Sequence, residues 1–558
     1  MPTEAGCNDM ERMVQELDGG AAVVGWLKRA GVRNIFSVSG GPINPIYRAC
    51  ADLDLPLIHA RHEAAACFMA EAASRVNGTP AAVAVTLGPG AANTVTPAMV
   101  SMMAGTPLII IAAQAATGSF ERGAGMSYEI LPLVAGVTKW SARVLDVDRI
   151  PEYLDIAWRK MWSGRPGPVF LEIPSDVMSA RLSHALASFE APPAVARPGL
   201  SSEGAAALTA ELSRSRRPLL LLGDEAFWDG SKDWQNVVER HHMPFATLRL
   251  ARGQIDEYHP LWCGPGYSPC NATLRRALAE ADMVFLIGHH FEFDLEFGDH
   301  LGKGTRVVQV ASDTELLHRN RRADLALASA PGWAAAALAG AASTDTDRNW
   351  ASGVASAWRA ERQAQLREVP PGGALHPVAA IDAVAEAAPQ DTIFVSSHGN
   401  VDFWADARLR LRAPGRYLRA GQSGALGAEV PYGAGAAFAA APDTPVVVFV
   451  GDGGVGFHVA ELDTAERYGK PFIIAVLDDG MWGAIALPQE KKYGTTYEMG
   501  LPRRDWARVA EGLGCLGFAC HGRDEIAVAV KLALESRKPA LIQIAVRSVI
   551  SPYMEYIS

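Results

Sequence analysis

Two apolar strands that each stop on an aspartate within a glycine turn constrain this chain more than any other feature. The first is Pro445-Val446-Val447-Val448-Phe449-Val450, which ends at Gly451-Asp452-Gly453-Gly454. The second, Phe472 to Leu477, ends at Asp478-Asp479-Gly480, and a helix-compatible segment, Phe457 to Tyr468, joins the two. Strand, helix and strand in that order make a right-handed crossover between parallel strands. Asp452 and Asp479 then stand at carboxyl ends, where open α/β sheets hold their ligands. Gly451, Gly453 and Gly454 let a phosphate approach the backbone, and the following helix N-terminus favours negative charge. Two carboxylates together with diphosphate oxygens form a hard donor set suited to Mg²⁺. A lone Gly-Asp-Gly turn is common without any ligand; the second strand end tips the reading to a metal–diphosphate site.

At 558 residues the chain exceeds one ordinary core, and about 150 residues per domain suggests three or four. We take three. Asn34 to Val38, Ala81 to Thr86, Leu108 to Ile111 and Val169 to Ile173 are short β-branched runs that alternate with alanine-rich amphipathic stretches. That alternation predicts doubly wound α/β domains with parallel sheets. Breaks at Ala191 to Gly204, at Ser343 to Asn349 and at Pro370-Pro371-Gly372-Gly373 place the domains at 18–190, 200–342 and 374–548. The first and third are expected to be distant relatives in topology.

A net charge of -10, with no Lys/Arg block, argues against a nucleic-acid partner. Seven cysteines, Cys7 included, show neither Cys-x-x-Cys nor a zinc pattern and predict reduced thiols in a cytoplasm. Met1 to Asp18 carries Glu4, Asp9, Glu11 and Glu16 and lacks the pattern of a signal peptide. Leu108 to Ala116, a long apolar run here, falls far short of the roughly 20 residues that span a bilayer. A cytoplasmic protein with no membrane partner is expected.

Upstream, Pro56-Leu57-Ile58-His59-Ala60-Arg61-His62-Glu63-Ala64-Ala65-Ala66 ends a strand and opens a helix with Glu63 in its first turn. An isolated glutamate there would merely complement the helix dipole. His62 to Ala66, Val85-Thr86-Leu87-Gly88-Pro89-Gly90-Ala91-Ala92-Asn93, Gly164-Arg165-Pro166-Gly167-Pro168-Val169 and Ile173-Pro174 add context. Together with the Asp452 and Asp479 segments, the chain resembles the thiamine-diphosphate-dependent enzymes, acetolactate synthase and its relatives, over most of its length.

The resemblance implies three domains: pyrimidine-binding, middle and diphosphate-binding. It makes Glu63 the cofactor activator, which hydrogen-bonds the pyrimidine and promotes the imino tautomer that deprotonates the thiazolium. Ala64, Ala65 and Cys67 would desolvate that carboxyl group, and Thr86, Pro89 and Asn93 would line its pocket. By the same resemblance Asp452, Asp479 and the Met481 carbonyl hold Mg²⁺. Gly451, Gly453, Gly454, His398-Gly399-Asn400 and Trp482 surround the diphosphate, and Gly424 offers its carbonyl to the pyrimidine amino group. Leu426, in Gly424-Ala425-Leu426-Gly427, supports the bent cofactor. The family's pattern has Asn-Asn where this chain has Asp478-Asp479, which adds a negative charge to the metal site.

Local resemblance is to benzaldehyde lyase and to the 2-hydroxyacyl-CoA lyase and oxalyl-CoA decarboxylase group. It rests on Val137-Thr138-Lys139-Trp140, Ala374-Leu375-His376-Pro377, Gly451 to Phe457 and Met481-Trp482-Gly483-Ala484. Gly41-Pro42 replaces an Ala-His pair of benzaldehyde lyase, and Gly125-Met126 stands where relatives carry a glutamine. The expected substrate pocket is therefore Gly41, Pro42, Met126 and Trp482, with His398, His62 and Trp482 as candidates for proton handling. His241-His242 and His289-His290 are expected at the surface or at a domain interface.

In relatives the middle domain holds FAD or the ADP part of coenzyme A, with an arginine soon after the strand-end glycine. Leu286-Ile287-Gly288-His289-His290 lacks that arginine, and the chain stops soon after Pro552-Tyr553. Both features lower the expectation of FAD or an acyl-CoA substrate. The expected activity is a carbon–carbon lyase or carboligase acting on aldehydes, 2-oxo acids or 2-hydroxy ketones. Alternatives are a 2-hydroxyacyl-CoA lyase, a 2-oxo acid decarboxylase and, more remotely, a non-catalytic subunit. The resemblance also implies a homodimer or dimer of dimers, in which Glu63 of one subunit faces the diphosphate site of another.

Overall fold

The buried runs become strands of three parallel sheets. The computed structural model describes residues 17–183, 190–192, 194–367, 374–396 and 398–552. The acidic N-terminal segment, Cys7, Pro193, the Pro370-Pro371-Gly372-Gly373 break and Tyr553 lie outside these residues. The chain divides into two compact units, Met1–Ala196 and Arg197–Ser558.

The first unit carries β1 (Ile35–Ser37), β2 (Leu57–His59), β3 (Ala81–Val85), β4 (Leu108–Gln114), β5 (Trp140–Arg143) and β6 (Pro168–Pro174). Their order across the sheet is β2-β1-β3-β4-β6-β5. The second unit holds two sheets. One contains β7 (Pro218–Leu222), β8 (Phe245–Thr247), β9 (Trp262–Pro265), β10 (Met283–Ile287), β11 (Arg306–Ala311) and β12 (Leu325–Ala328). The other contains β13 (Ile393–Ser396), β14 (Tyr417–Leu418), β15 (Val446–Gly451), β16 (Ile473–Asp478), β17 (Leu516–Cys520) and β18 (Ala540–Ala545).

The third sheet runs β14-β13-β15-β16-β18-β17, which repeats the order of the first sheet strand for strand. The topological kinship expected of the two segments is therefore present. The middle sheet runs β12-β11-β10-β7-β8-β9, so its order reverses between β10 and β7. Every residue of β3, β4, β6, β7 and β10 is buried. Strands covered by helices on both faces read as continuous apolar runs, and these do.

Local capping and strand register position the chemistry-bearing turns. His62 caps the helix Glu63–Asn77: its Nδ1 accepts the Ala64 N–H at 3.0 Å, and Gly78 closes the helix at φ 67°. In the third sheet, β15 and β16 pair with Gly451 opposite Leu477, which sets the two aspartate turns side by side. The segment Phe457 to Tyr468 is not one helix. A single turn, Asp452–Val455, follows the strand directly, and the helix proper is Glu461–Arg467. Phe457 lies between them, 54% exposed, with its Cβ where a side chain on Gly427 would stand. No helix among the described residues is long and apolar enough to cross a membrane.

Candidate functional site

The carboxyl ends of β13 to β16 enclose a cavity of about 280 Å³. His398, Gly399 and Asn400 reach it after β13, and Gly424 and Leu426 after β14. Gly451, Asp452, Gly453 and Gly454 line it after β15, and Asp479, Met481 and Trp482 after β16. The helices Asn400–Arg408 and Gly483–Tyr493 begin at this cavity, as does the turn Asp452–Val455, so backbone N–H groups converge where an anion would be stabilised. Glycine is required at 453 for a specific reason: a Cβ there would stand 2.5 Å from the Trp482 ring, which packs on the bare backbone.

Asp452 is 7% exposed, and its carboxyl is pushed up to about 7 by burial and by the neighbouring Asp479 and Asp478. Asp479 is also raised, chiefly by burial. Two desolvated carboxylates that repel one another form a donor set that fits a hard divalent cation.

His398 adopts φ 42° and its Nε2 accepts the Gly424 N–H at 2.9 Å. Burial and the Arg419 charge push it down to about 3, so the ring works as a neutral acceptor that fixes the Gly424 backbone. Asn400 commits its side chain elsewhere, donating to Val549 O at 2.6 Å and accepting from Ser551 N at 2.9 Å, which leaves its backbone to face the cavity.

Among the lining residues not read from the sequence, one is ionisable. Glu429 is 1% exposed, its Oε2 has no hydrogen-bond partner, and burial lifts its carboxyl to about 8. Its signal was there: an acid set inside the apolar run from Gly427 to Ala437, three residues after Leu426.

In the first unit the ends of β2 and β3 meet at Glu63. Its Oε2 accepts from Asn93 Nδ2 at 2.9 Å, and a Cβ on Gly90 would lie 3.3 Å from its Oε1. The same Cβ would stand 2.8 Å from Thr86 Cγ2, while the Thr86 Oγ1 is buried without a partner. An orphaned hydroxyl beside the Glu63 carboxyl group fits a site completed by a polar ligand. Pro89 opens the short helix Pro89–Ala92 that carries Gly90. The Cys67 thiol is raised by burial and by Glu71 and Glu63, which shows how near Glu63 sits to that apolar wall.

Gly41 and Pro42 open a short helical turn, and a Cβ on Gly41 would meet nothing within 4 Å. A Cβ on neighbouring Gly40 would stand 2.5 Å from Thr86 Cβ. Met126, at φ 64° and 56% exposed, places its carbonyl against Gly88. The expected Glu63, Thr86, Pro89 and Asn93 thus converge, with the loops of Gly41 and Met126 at their margin.

Comparison with known proteins agrees with this geometry. The N-terminal TPP binding domain of thiamine pyrophosphate enzymes matches residues 17–130, their central domain 205–338 and their C-terminal TPP binding domain 397–544. The chain belongs to the thiamine pyrophosphate enzymes. It is 28% identical to 2-hydroxyacyl-CoA lyase 2 of Bos taurus over 91% of this chain and 86% of that one. It is 28% identical to an acetolactate synthase large subunit of Mycobacterium tuberculosis over 95% and 96% of the two chains. The acetolactate synthase large subunit of Parasynechococcus marenigrum is 29% identical over 96% and 88%. The described geometry fits thiamine pyrophosphate at both β-sheet ends, where the two TPP binding domains lie.

In the middle domain of this thiamine pyrophosphate enzyme, packed and acidic side chains gather where the strand order reverses. Its ligand crevice would lie between β10 and β7, yet a Cβ on Gly223 would stand 2.4 Å from the His289 Cβ. Arg249 Nη2 pairs with Asp224 at 2.8 Å and with Glu292 at 2.5 Å, and its Nε lies 3.4 Å from Asp294. Three carboxylates share one guanidinium, and a nucleotide diphosphate would only add negative charge.

The surface expectation fails for His241, His289 and His290, which are 0%, 2% and 4% exposed. His241 bonds Leu338 O at 2.8 Å, and His289 packs its Cβ where a side chain on Gly223 would stand. His289, His290 and Glu292 bring ligand atoms within 4.8 Å of one another. Arg249 already occupies the space beside two of them, 3.3 Å from His289 Nδ1 and 2.5 Å from Glu292 Oε1, so a cation there would meet a guanidinium.

Proposed function

We propose that this thiamine pyrophosphate enzyme is a carbon–carbon lyase or carboligase whose donors are free 2-oxo acids, aldehydes or 2-hydroxy ketones. The carrying observation is the contrast within the second unit: an open cavity at the ends of β13 to β16, against a strand-order reversal where His289 packs close to Gly223 and three carboxylates surround Arg249. That contrast favours donors without a coenzyme A handle and speaks against FAD.

When bound, the cofactor stabilises a carbanion next to a carbonyl. The chain's own residues do the rest. Asp452, Asp479 and the Met481 carbonyl would hold Mg²⁺, and the amides of Gly399, Asn400, Gly451, Gly453 and Gly454 would receive the diphosphate. Leu426 would set the cofactor's bend, the Gly424 carbonyl would accept from its amino group, and Glu63 would share a proton with its pyrimidine. Thr86 and Asn93 would hold that ring in place, while Gly41, Pro42, Met126 and Trp482 would face the substrate. With neither an imidazole at 42 nor an amide at 126, donor selection would rest on shape and apolarity.

In this reading Glu63 of one subunit serves the cavity of another, making a homodimer the smallest active unit. The domains would run from 18 to 190, 200 to 342 and 374 to 548. The compartment in this reading is a reducing cytoplasm, and the six described cysteines are buried.

The test is turnover of pyruvate and of benzoin-type compounds in a coupled assay, with Glu63→Gln as control. Loss of roughly 100-fold or more in the variant, with cofactor still bound, is expected; unchanged turnover would remove Glu63 from its role. The likeness to 2-hydroxyacyl-CoA lyase 2 over 91% of this chain favours a second reading, an acyl-CoA substrate. Calorimetric binding of coenzyme A at one site per chain would select it.

A further inference from the structure

We infer that Gln543 and Ser548 divide the two aspartates of the β16 turn into different roles, and that the resulting site takes a divalent cation before any diphosphate arrives. The inference rests on the reading of Asp452 and Asp479 as metal ligands. Gln543 lies on β18 opposite Val476 of β16. Its Nε2 donates to Asp478 Oδ2 at 2.7 Å and to Arg504 O at 2.8 Å, and its Oε1 accepts the Trp506 N–H at 2.9 Å. The amide is thus pinned at both ends. Asp478 spends its other oxygen on the Gly480 N–H at 3.1 Å, is 2% exposed, and does not line the cavity.

Asp479 is treated differently. Ser548 lies two residues beyond Val546, which lines the cavity, so the alternation of an extended chain turns Ser548 to the same side. Its Oγ donates to Asp479 Oδ2 at 3.0 Å and sits 3.1 Å from Met481 Sδ. Gly483 makes room for that oxygen, since a Cβ there would stand 2.8 Å from it. Ser548 therefore touches two of the three residues assigned to the metal, and one of its contacts fixes a carboxylate that lines the cavity.

Two carboxylates, Asp452 and Asp479, then face the cavity with formal charge -2. An amide at 479 would leave -1. Arg503 approaches the turn, with Nε 3.6 Å from where a Gly480 Cβ would stand, but among the described residues it forms no ion pair with the three aspartates. A site with one ligand carboxylate depends on diphosphate oxygens to complete its charge; a site with two binds a divalent ion on its own, about tenfold or more tighter.

Mn²⁺ titration of the full-length, cofactor-free protein at pH 8, read by the loss of free-ion electron paramagnetic resonance signal, tests this. The native chain is expected to hold one Mn²⁺ with a Kd near or below about 100 µM. Asp479→Asn should bind at least about tenfold more weakly without cofactor and regain native affinity when thiamine diphosphate is added. Ser548→Ala should weaken cofactor-free binding about threefold to tenfold, since Asp479 loses its one side-chain donor. The rise in melting temperature on adding Mn²⁺ gives a second readout, which Asp479→Asn should abolish in a protein that still melts cooperatively.

If the native protein takes up Mn²⁺ only after thiamine diphosphate is added, the inference is overturned while the ligand assignment stands. No Mn²⁺ in either condition overturns the ligand assignment itself. Native affinity in Ser548→Ala removes the positioning role of that residue.

Discussion

The second and third sheets both gather carboxylates at their strand ends, and they neutralise them in opposite ways. In the middle sheet, Asp224, Glu292 and Asp294 surround the buried Arg249, so the chain supplies the countercharge from its own sequence. In the third sheet, Asp452 and Asp479 face each other, and the charges acting on Asp452 all push its carboxyl upward. The first arrangement is balanced by its own guanidinium. Among the described residues the second has no such cation beside it, and that incompleteness is a functional mark that burial alone does not give, because each cluster mixes buried and half-buried carboxylates.

The contrast predicts opposite signs for charge removal. Asp452→Asn should lower cofactor-dependent turnover on the order of 1000-fold, since a ligand for the charge-balancing cation is weakened. The same change should stabilise the cofactor-free protein at pH 8 by about 1 to 3 kcal/mol, because an ionised, desolvated carboxylate is replaced by a neutral amide. Arg249→Met should do the reverse. It leaves two buried carboxylates and the half-buried Glu292 without that cation, at about 3 to 5 kcal/mol of stability. Thermal melts of the two cofactor-free variants beside the native chain check the signs; two shifts in the same direction would break the comparison.

The range of each interaction decides how much of it was legible in the sequence. Gly451-Asp452-Gly453-Gly454 and Asp478-Asp479-Gly480 are local signals: a strand run that stops on glycine reports its own strand end, and the structure puts both at one cavity. The setting of Glu63 was legible because a strand end and a helix start lie within a few residues of it, while the role proposed for it comes from the resemblance. The middle domain was not. Arg249 and His289 are 40 residues apart and meet only because β8 and β10 flank β7, a pairing no window of sequence carries. The same holds for Gln543 and Ser548, 65 and 69 residues from their aspartates. The helix expected over Phe457 to Tyr468 broke because the apolar pattern did not register the close packing of Phe457 on Gly427.

Glu429 supplies a pH-dependent version of the comparison, smaller than the two above. Burial lifts its carboxyl from 4.5 to about 8, against a weaker downward pull from backbone hydrogen bonds. Below pH 4.5 the group is protonated in folded and unfolded chains alike and contributes nothing. As pH rises from 4.5 toward 8 the unfolded chain releases this proton while the folded chain keeps it, so stability falls across that window and levels off above it. Glu429→Gln removes the titration at nearly constant shape. Its cofactor-free melting temperature should match the native chain at pH 4.5 and exceed it by several degrees at pH 8, about 2 to 3 kcal/mol.

Smallest of all should be Leu426→Met. It conserves volume at the support beneath the cofactor and should change turnover less than about tenfold, within the cost of an isosteric apolar swap. Leu426→Ala should exceed that limit, because an alanine removes the wall itself. A Leu426→Ala enzyme as active as the Leu426→Met enzyme would show that this cavity is shaped by its backbone and its charges alone. The glycine turns and aspartates would then account for the whole difference between the third sheet and the middle one.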